Sequence, residues 1–204
     1  RFLYRIRWYL AVLPLIALIV AWFLTRKMDR VYDVSTTIYT GMITGYNIEG
    51  GSGIAGGNSQ TNINNLMLII TTDNTIHEVA LRLFARCMMY GNPNKDNNYI
   101  TAEHYRQLEM SVPASVKALI NHNNEEATYN NLRAYEKPSQ DNYIFGILNY
   151  HPYFGINSIT SRLKVIQLNH SDIIDIGYSA NDPGIAYNTL DILNEVFARQ
   201  YQLL

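Results

Sequence analysis

Ser171-Asp172-Ile173-Ile174-Asp175-Ile176-Gly177-Tyr178-Ser179-Ala180-Asn181-Asp182-Pro183-Gly184-Ile185-Ala186 changes its period halfway along. Up to Ser179, Ile174, Ile176 and Tyr178 alternate with Ile173, Asp175 and Gly177, the repeat of a strand with one face to bury. Asn181-Asp182-Pro183 then offers a capping side chain and a proline suited to a first helical turn. Beyond it Ile185, Thr189, Ile192 and Val196 make one stripe at helical spacing, and Ala186, Leu190, Leu193 and Phe197 make the next. A helix lying on one sheet needs a single stripe. Two stripes predict either a helix packed on both sides within the domain or one that also meets another subunit.

Working outward, Leu163 to Leu168 alternates in the same way and predicts a second strand. Val31-Tyr32-Asp33-Val34-Ser35-Thr36-Thr37-Ile38-Tyr39-Thr40 predicts a third. Between them the pattern is helical. Leu66, Ile69 and Ile70 mark a helix over Asn62 to Thr71. Another follows from Thr75, after the capping residues Thr72-Asp73-Asn74, with Ile76, Val79 and Leu83 beside Ala80, Phe84 and Cys87. Gly91-Asn92-Pro93-Asn94 ends it. Thr101 precedes a segment with His104 where a capping box would carry Glu, and Ser111 is expected to cap a segment with Pro113 in its first turn. Glu125 to Lys137 and Asp141 to Asn149 complete the set.

Near the start, Trp8 to Leu24 is an apolar run without a charge. It falls near the lower end of the roughly 17–25 residues that span a hydrocarbon core. Pro14 is tolerable within such a helix, and Trp8, Tyr9 and Trp22 suit the headgroup level. A signal peptide would have a shorter apolar core and a small-x-small cleavage site, whereas this run closes on Ala21-Trp22-Phe23-Leu24. The expected organisation is a basic tail (1–7), a transmembrane helix (8–25) and one domain (30–204). Arg1, Arg5 and Arg7 ahead of the run balance Arg26, Lys27 and Arg30 behind it, so charge leaves the orientation open. The fold class expected is α+β: an N-terminal transmembrane helix, then an α/β domain with a small mixed sheet near the membrane, a mostly helical middle and a long C-terminal helix.

The 204 residues carry a net charge of −1 with 16% charged residues, which argues against a nucleic-acid partner. Polarity comes from Asn, Ser, Thr and 16 Tyr, and Tyr with Asn suits carbohydrate or protein contacts. Cys87 is the lone cysteine, which excludes an intrachain disulfide, and its surround Phe84-Ala85-Arg86-Cys87-Met88-Met89 reads as a core face. Gly51-Ser52-Gly53-Ile54-Ala55-Gly56, with Asp73 further on, imitates a dinucleotide fingerprint. It has neither the buried strand before it nor the helix within it that a phosphate site needs, so Gly50 to Ser59 is expected as a flexible loop binding no nucleotide. His77, His104, His122, His151 and His170 stand singly, without metal-ligand spacing. Glu125 and Glu126 are adjacent, so on a helix they diverge and cannot flank one bond. No catalytic, cofactor-binding or metal-ligating residue is assigned, no cofactor is expected, and the segment does not read as an enzyme.

Two stretches and the apolar run together carry a resemblance. A basic tail and apolar helix leading directly into Tyr32-Asp33-Val34-Ser35-Thr36-Thr37-Ile38-Tyr39, and Ser171 to Ala186 leading into a long helix, are similar to the polysaccharide co-polymerase family. That family includes the chain-length determinant proteins and the membrane parts of capsule and exopolysaccharide tyrosine autokinases. About Gly91 to Gly155 carries no such likeness. The resemblance implies a domain on the periplasmic side of a bacterial inner membrane, its first and last strands brought together beside the membrane so that Val31 to Thr40 pairs with Ile173 to Ser179, a second membrane helix beyond Leu204 and a homo-oligomeric ring. It implies a scaffold that regulates polymerisation, chain length or export of a surface polysaccharide. A polysaccharide polymerase or outer-membrane export protein, and the glycan itself, would be its partners. A periplasmic sensor domain of a signalling receptor is the alternative. The tyrosine kinase of some members has no counterpart within residues 1–204.

Overall fold

The computed structural model describes residues 2–26, 30–41 and 59–201, and the chain divides into two compact units, Arg1–Arg30 and Val31–Leu204. The first is a helix, α1 (Phe2–Arg26), unbroken at Pro14. Its described side chains begin at Val12, and Leu13, Leu18, Trp22 and Phe23 stand exposed. Among the described residues no helix is long and apolar enough to cross a membrane. The expected span includes Trp8 to Ala11, whose side chains lie outside that description.

The second unit is α+β and mostly helical. In chain order it comprises β1 (Tyr32–Tyr39), α2 (Ser59–Thr71), α3 (Asp73–Tyr90), α4 (Ala102–Ser111), α5 (Ala114–Lys117), α6 (Glu125–Tyr135), α7 (Tyr143–Tyr150), α8 (Ile156–Arg162), β2 (Leu163–Gln167), β3 (Ile173–Ala180) and α9 (Pro183–Tyr201). The strands form one sheet in the order β1-β3-β2. The pairing of the first and last strands that the resemblance implies is present: Tyr32 faces Ala180 and the register runs to Tyr39 facing Ile173. Thr40 extends it, donating its backbone N–H to the Asp172 carbonyl at 2.8 Å.

The sheet is wholly antiparallel rather than mixed. Leu168 to Asp172 is too short for the crossover of a dozen or more residues that parallel strands require. Instead Leu168 to Ser171 closes a tight turn, the Ser171 N–H donating to the Leu168 carbonyl at 2.8 Å. Asn169 and His170 both take positive φ, 47° and 53°, the backbone of a type I′ turn that matches strand twist.

Ile174, Ile176, Tyr178 and Ala180 are buried on the face of β3 that α9 covers. On α9 both stripes are buried, Ile185, Ile192 and Val196 as well as Ala186, Leu193 and Phe197. The sheet takes one side of the helix and α3 the other. A subunit contact through a spare apolar stripe of α9, one of the two sequence expectations, is therefore not met. Both stripes are spent inside the domain.

At the centre α3 is enclosed on every side, with every residue from Val79 to Met89 buried. It opens on Thr72, whose Oγ1 accepts the Thr75 N–H. It closes where the chain extends at Gly91. Gly91 sits against the Tyr105 ring and 2.5 Å, measured from where a Cβ would stand, from the Cys87 carbonyl, leaving no room for a side chain. Cys87 is buried and free, and burial holds its thiol far above the usual range, as the reading of an inert core thiol requires.

Two boundaries differ from expectation. The helix expected from Asn62 begins at Ser59, and Ile63 joins Leu66 and Ile70 in one buried stripe. Each such side chain contributes about 1.5–3 kcal/mol on burial. The rest of the expected glycine-rich loop, Gly50 to Asn58, lies outside the described residues. Ser111 closes α4 instead of capping α5, its Oγ donating to the Leu108 carbonyl at 2.8 Å, and Pro113 takes the capping position. Burial of Tyr105 and Leu108 holds α4 together through that turn. α8 has no sequence expectation, since seven residues with one buried apolar side chain, Ile159, present no period.

Candidate functional site

Asp182, read as a helix-opening residue, binds two helices at once. Its Oδ1 accepts the N–H groups of Gly184 and Ile185 at 2.9 and 3.2 Å, capping α9. Its Oδ2 accepts the Thr101 N–H at 2.9 Å, the Thr101 hydroxyl at 2.7 Å and His104 Nδ1 at 2.6 Å, all from the start of α4. The side chain is fully buried. Burial works against its ionisation, but the bonds from His104, Thr101 and Ile185 outweigh it and hold the carboxyl below the usual carboxylate range. An ionised carboxylate only accepts, so the His104 proton on this side sits on Nδ1.

On its other side the ring meets Tyr153, with His104 Nε2 and the Tyr153 hydroxyl oxygen hydrogen-bonded at 3.0 Å. Tyr153, His104 and Asp182 thus form a chain of polar groups drawn from the turn after α7, from α4 and from the start of α9. Two residues before Tyr153, His151 accepts the Tyr153 backbone N–H on Nδ1 at 3.1 Å, which leaves its proton on Nε2. Burial pushes the His151 imidazole down to about 4, so it is neutral near pH 7. His104, His151, Tyr153, Phe154, Gln107 and Asn181 are among the residues lining a cavity of about 390 Å³. The lining carries donors, acceptors and ring faces, but no lysine, arginine, aspartate or glutamate.

A second polar cluster surrounds two buried arginines of α3. Arg82 donates to Glu78 at 2.8 Å and to both oxygens of Glu126 at 2.8 and 3.2 Å, with its guanidinium 4.0 Å from the Tyr129 ring centroid. Arg86 donates to Glu125 at 2.9 Å, Asp191 at 2.7 Å and Glu195 at 2.8 Å. Glu125 and Glu126 do occupy the first turn of α6, as expected, and each takes a different arginine. The hydrogen bond from Arg82 holds the Glu126 carboxyl below its usual range. The cluster ties α3, α6 and α9 together.

Sequence reading placed the histidines singly, and among the described residues no group of three or more His, Cys, Asp or Glu side chains could hold a metal. It did not foresee that His104 and His151 share a cavity. The only local signals were Asp182 ahead of a proline and His104 three residues after Thr101. Each is ordinary alone, and the pairing spans 78 residues. Arg86 and its partners on α9 are further apart still. Comparison with protein-family models, with curated proteins and with solved structures finds no match to this chain.

Proposed function

We propose that this chain is a membrane-anchored scaffold of the polysaccharide co-polymerase kind, a homo-oligomer that organises the polymerisation, chain length or export of a surface polysaccharide without catalysing a reaction. The observation that carries the reading is the strand frame. The strand that follows α1 in sequence pairs along its whole length with β3, the strand that runs into α9, and these are the stretches that resemble the family. The apolar run Trp8 to Leu24, which lies within the continuous helix α1, supports the anchor. The fate of the two polar clusters supports a non-enzymatic role. Every acceptor site of Asp182 and every hydrogen-bonding nitrogen of Arg86 is engaged by the domain itself, which suits architecture better than turnover.

α9 runs back along the sheet, so that Asn194, Phe197 and Ala198 lie beside Thr36 to Thr40, at the end of β1 remote from Tyr32. Oligomer contacts fall to surfaces other than the two stripes of α9.

The test is genetic and biochemical together. Cells lacking the protein are expected to make surface polysaccharide of altered length distribution, restored by the wild-type gene, and the protein is expected to sediment with membranes and scatter light as an oligomer in detergent. An unchanged polysaccharide overturns the scaffold reading. A monodisperse monomer overturns the assembly.

A further inference from the structure

We propose that the free edge of β1 pairs with β1 of a second copy of this chain, antiparallel about a two-fold axis at Thr36, an inference that rests on the homo-oligomer of the scaffold reading and gives it a surface. β1 is an outer strand of the sheet. Thr40 donates its N–H to Asp172, and antiparallel pairs alternate, so the backbone groups of Asp33, Ser35 and Thr37 point away from β3. Among the described residues they meet no backbone partner on that side. Open edges are usually blunted by lysine, proline, a bulge or a covering element. β2, at the other edge, has five residues, includes Lys164 and is flanked by α2, whose Gln60 donates to Gln167 at 2.8 Å. β1 has eight residues in unbroken register, with neither lysine nor proline. Its one charge, Asp33, is drawn toward β3, where it accepts the Ser179 hydroxyl.

The strand is also unfinished on its core face. Val34 and Ile38 pack against the core yet stay half-buried, whereas their neighbours on β3, Tyr178 and Ile174, are fully buried. Beside Thr36 to Thr40 a groove of about 450 Å³ reaches Asn194, whose side-chain oxygen is buried without a hydrogen-bond partner. Such an acceptor costs free energy until a donor reaches it. The pattern of β1 itself specifies the occupant. Side chains alternate between faces, so two copies keep core face beside core face only where the numbers of opposed residues sum to an even value. Among those registers, the one centred on Thr36 overlaps the whole strand. It sets Val34 against Ile38 of the second copy and Ser35 against its Thr37, each pair occurring once on either side of the axis, and brings no like charges together. Tyr32 of the second copy then lies opposite Thr40, at the groove, with a hydroxyl able to donate to the Asn194 oxygen. The contact is isologous and closes at two copies, so any larger assembly is built from such pairs through other surfaces.

The experiment uses the whole chain in detergent, where light scattering is expected to show a dimer or a multiple of one. Ser35→Pro removes an N–H that the domain's own sheet does not use. It is expected to leave the circular dichroism spectrum unchanged and to raise the dimer dissociation constant at least about tenfold, the effect of lost cross-edge hydrogen bonds. Thr36→Cys tests the axis without a proline and decides alone if Ser35→Pro does not fold. Opposed residues of a non-hydrogen-bonded pair have Cα atoms about 4.5 Å apart, within disulfide reach, so mild oxidation is expected to link most Thr36→Cys chains as dimers. Asp33→Cys, remote from the axis, and the wild type, whose Cys87 is buried, are expected to stay unlinked. The proposal is overturned if the protein is a monomer, if a folded Ser35→Pro keeps its oligomer, or if Thr36→Cys links no better than Asp33→Cys. An oligomer that survives Ser35→Pro rejects the edge and leaves the scaffold reading to be judged by polysaccharide length. A linked Thr36→Cys dimer in a protein whose loss leaves that length unchanged keeps the edge and rejects the scaffold.

Discussion

The Asp182 junction and the Arg82/Arg86 junction solve the same problem, a charge at the meeting point of helices, in opposite ways. Asp182 is a carboxylate with no exposed surface, answered by hydrogen bonds from backbone, hydroxyl and imidazole. Arg86 is a buried cation answered by full opposite charges whose own side chains are 25–50% exposed. The first excludes water and cannot be compensated once broken. At the second, solvent screens the attraction and can take over from a lost partner. A bond count would rank the arginine cluster higher, whereas burial ranks the single aspartate first.

The largest effect follows from that ranking. Asp182→Ala strands the Thr101, Gly184 and Ile185 N–H groups together with the donors of Thr101 and His104. It is expected to destabilise the domain by about 3–5 kcal/mol in urea unfolding. A loss below about 1 kcal/mol would break the comparison. The same residue sets an acid limit. Because folding depresses its carboxyl below the ordinary value of 3.8, its contribution is complete above that value and is lost as pH falls through it toward the depressed one. Unfolding measured between about pH 5 and pH 2 should steepen below about 4 in the wild type, and Asp182→Asn should flatten that slope.

Gly184→Ala probes the same junction by shape. A Cβ there would stand 2.5 Å from the Tyr99 carbonyl carbon and 2.7 Å from the Ile100 nitrogen, both rigid backbone atoms. Pushing α9 away from that strand of chain is expected to cost about 2–3 kcal/mol by thermal unfolding.

Arg86→Met sharpens the other side. It leaves Glu125, Asp191 and Glu195 facing one another and is expected to cost about 2 kcal/mol in low salt. Adding about 1 M salt should recover roughly half of that, since screening reaches exposed carboxylates. A cost that ignores salt would place the cluster in the same class as Asp182. Smallest of all, Glu126→Gln removes the charge of a side chain that is 57% exposed and is expected to change stability by about 0.5 kcal/mol or less.

The contrast also explains what could be read without coordinates. β1, β3 and α9 were legible because burial on one face writes a period of two, then of 3.6, into consecutive residues. Ile174, Ile176 and Tyr178, then Ile185 and Ile192, spell it out. α3 was legible for the same reason, though Arg82 and Arg86 within it gave no hint of being buried. The antiparallel sense of the sheet was not legible from alternation, which is identical for either direction. It depended on how short Leu168 to Asp172 is. The cavity was invisible for a different reason: His104, Tyr153 and Asn181 come from three separate segments, and none of them breaks its local pattern.

The antiparallel sheet has one further consequence, for the order in which the domain can assemble. β2 and β3 are neighbours in sequence and can close through their tight turn as soon as both exist, on the microsecond scale of hairpins. β1 has to wait, because Asp33 and its partner Ser179 lie 146 positions apart. At a synthesis rate of about 5–20 residues per second, β1 spends on the order of ten seconds outside the ribosome with neither edge paired. During that interval a β-branched strand is a template for another chain. Nascent chains held close together on one messenger are where mispairing of this protein should begin.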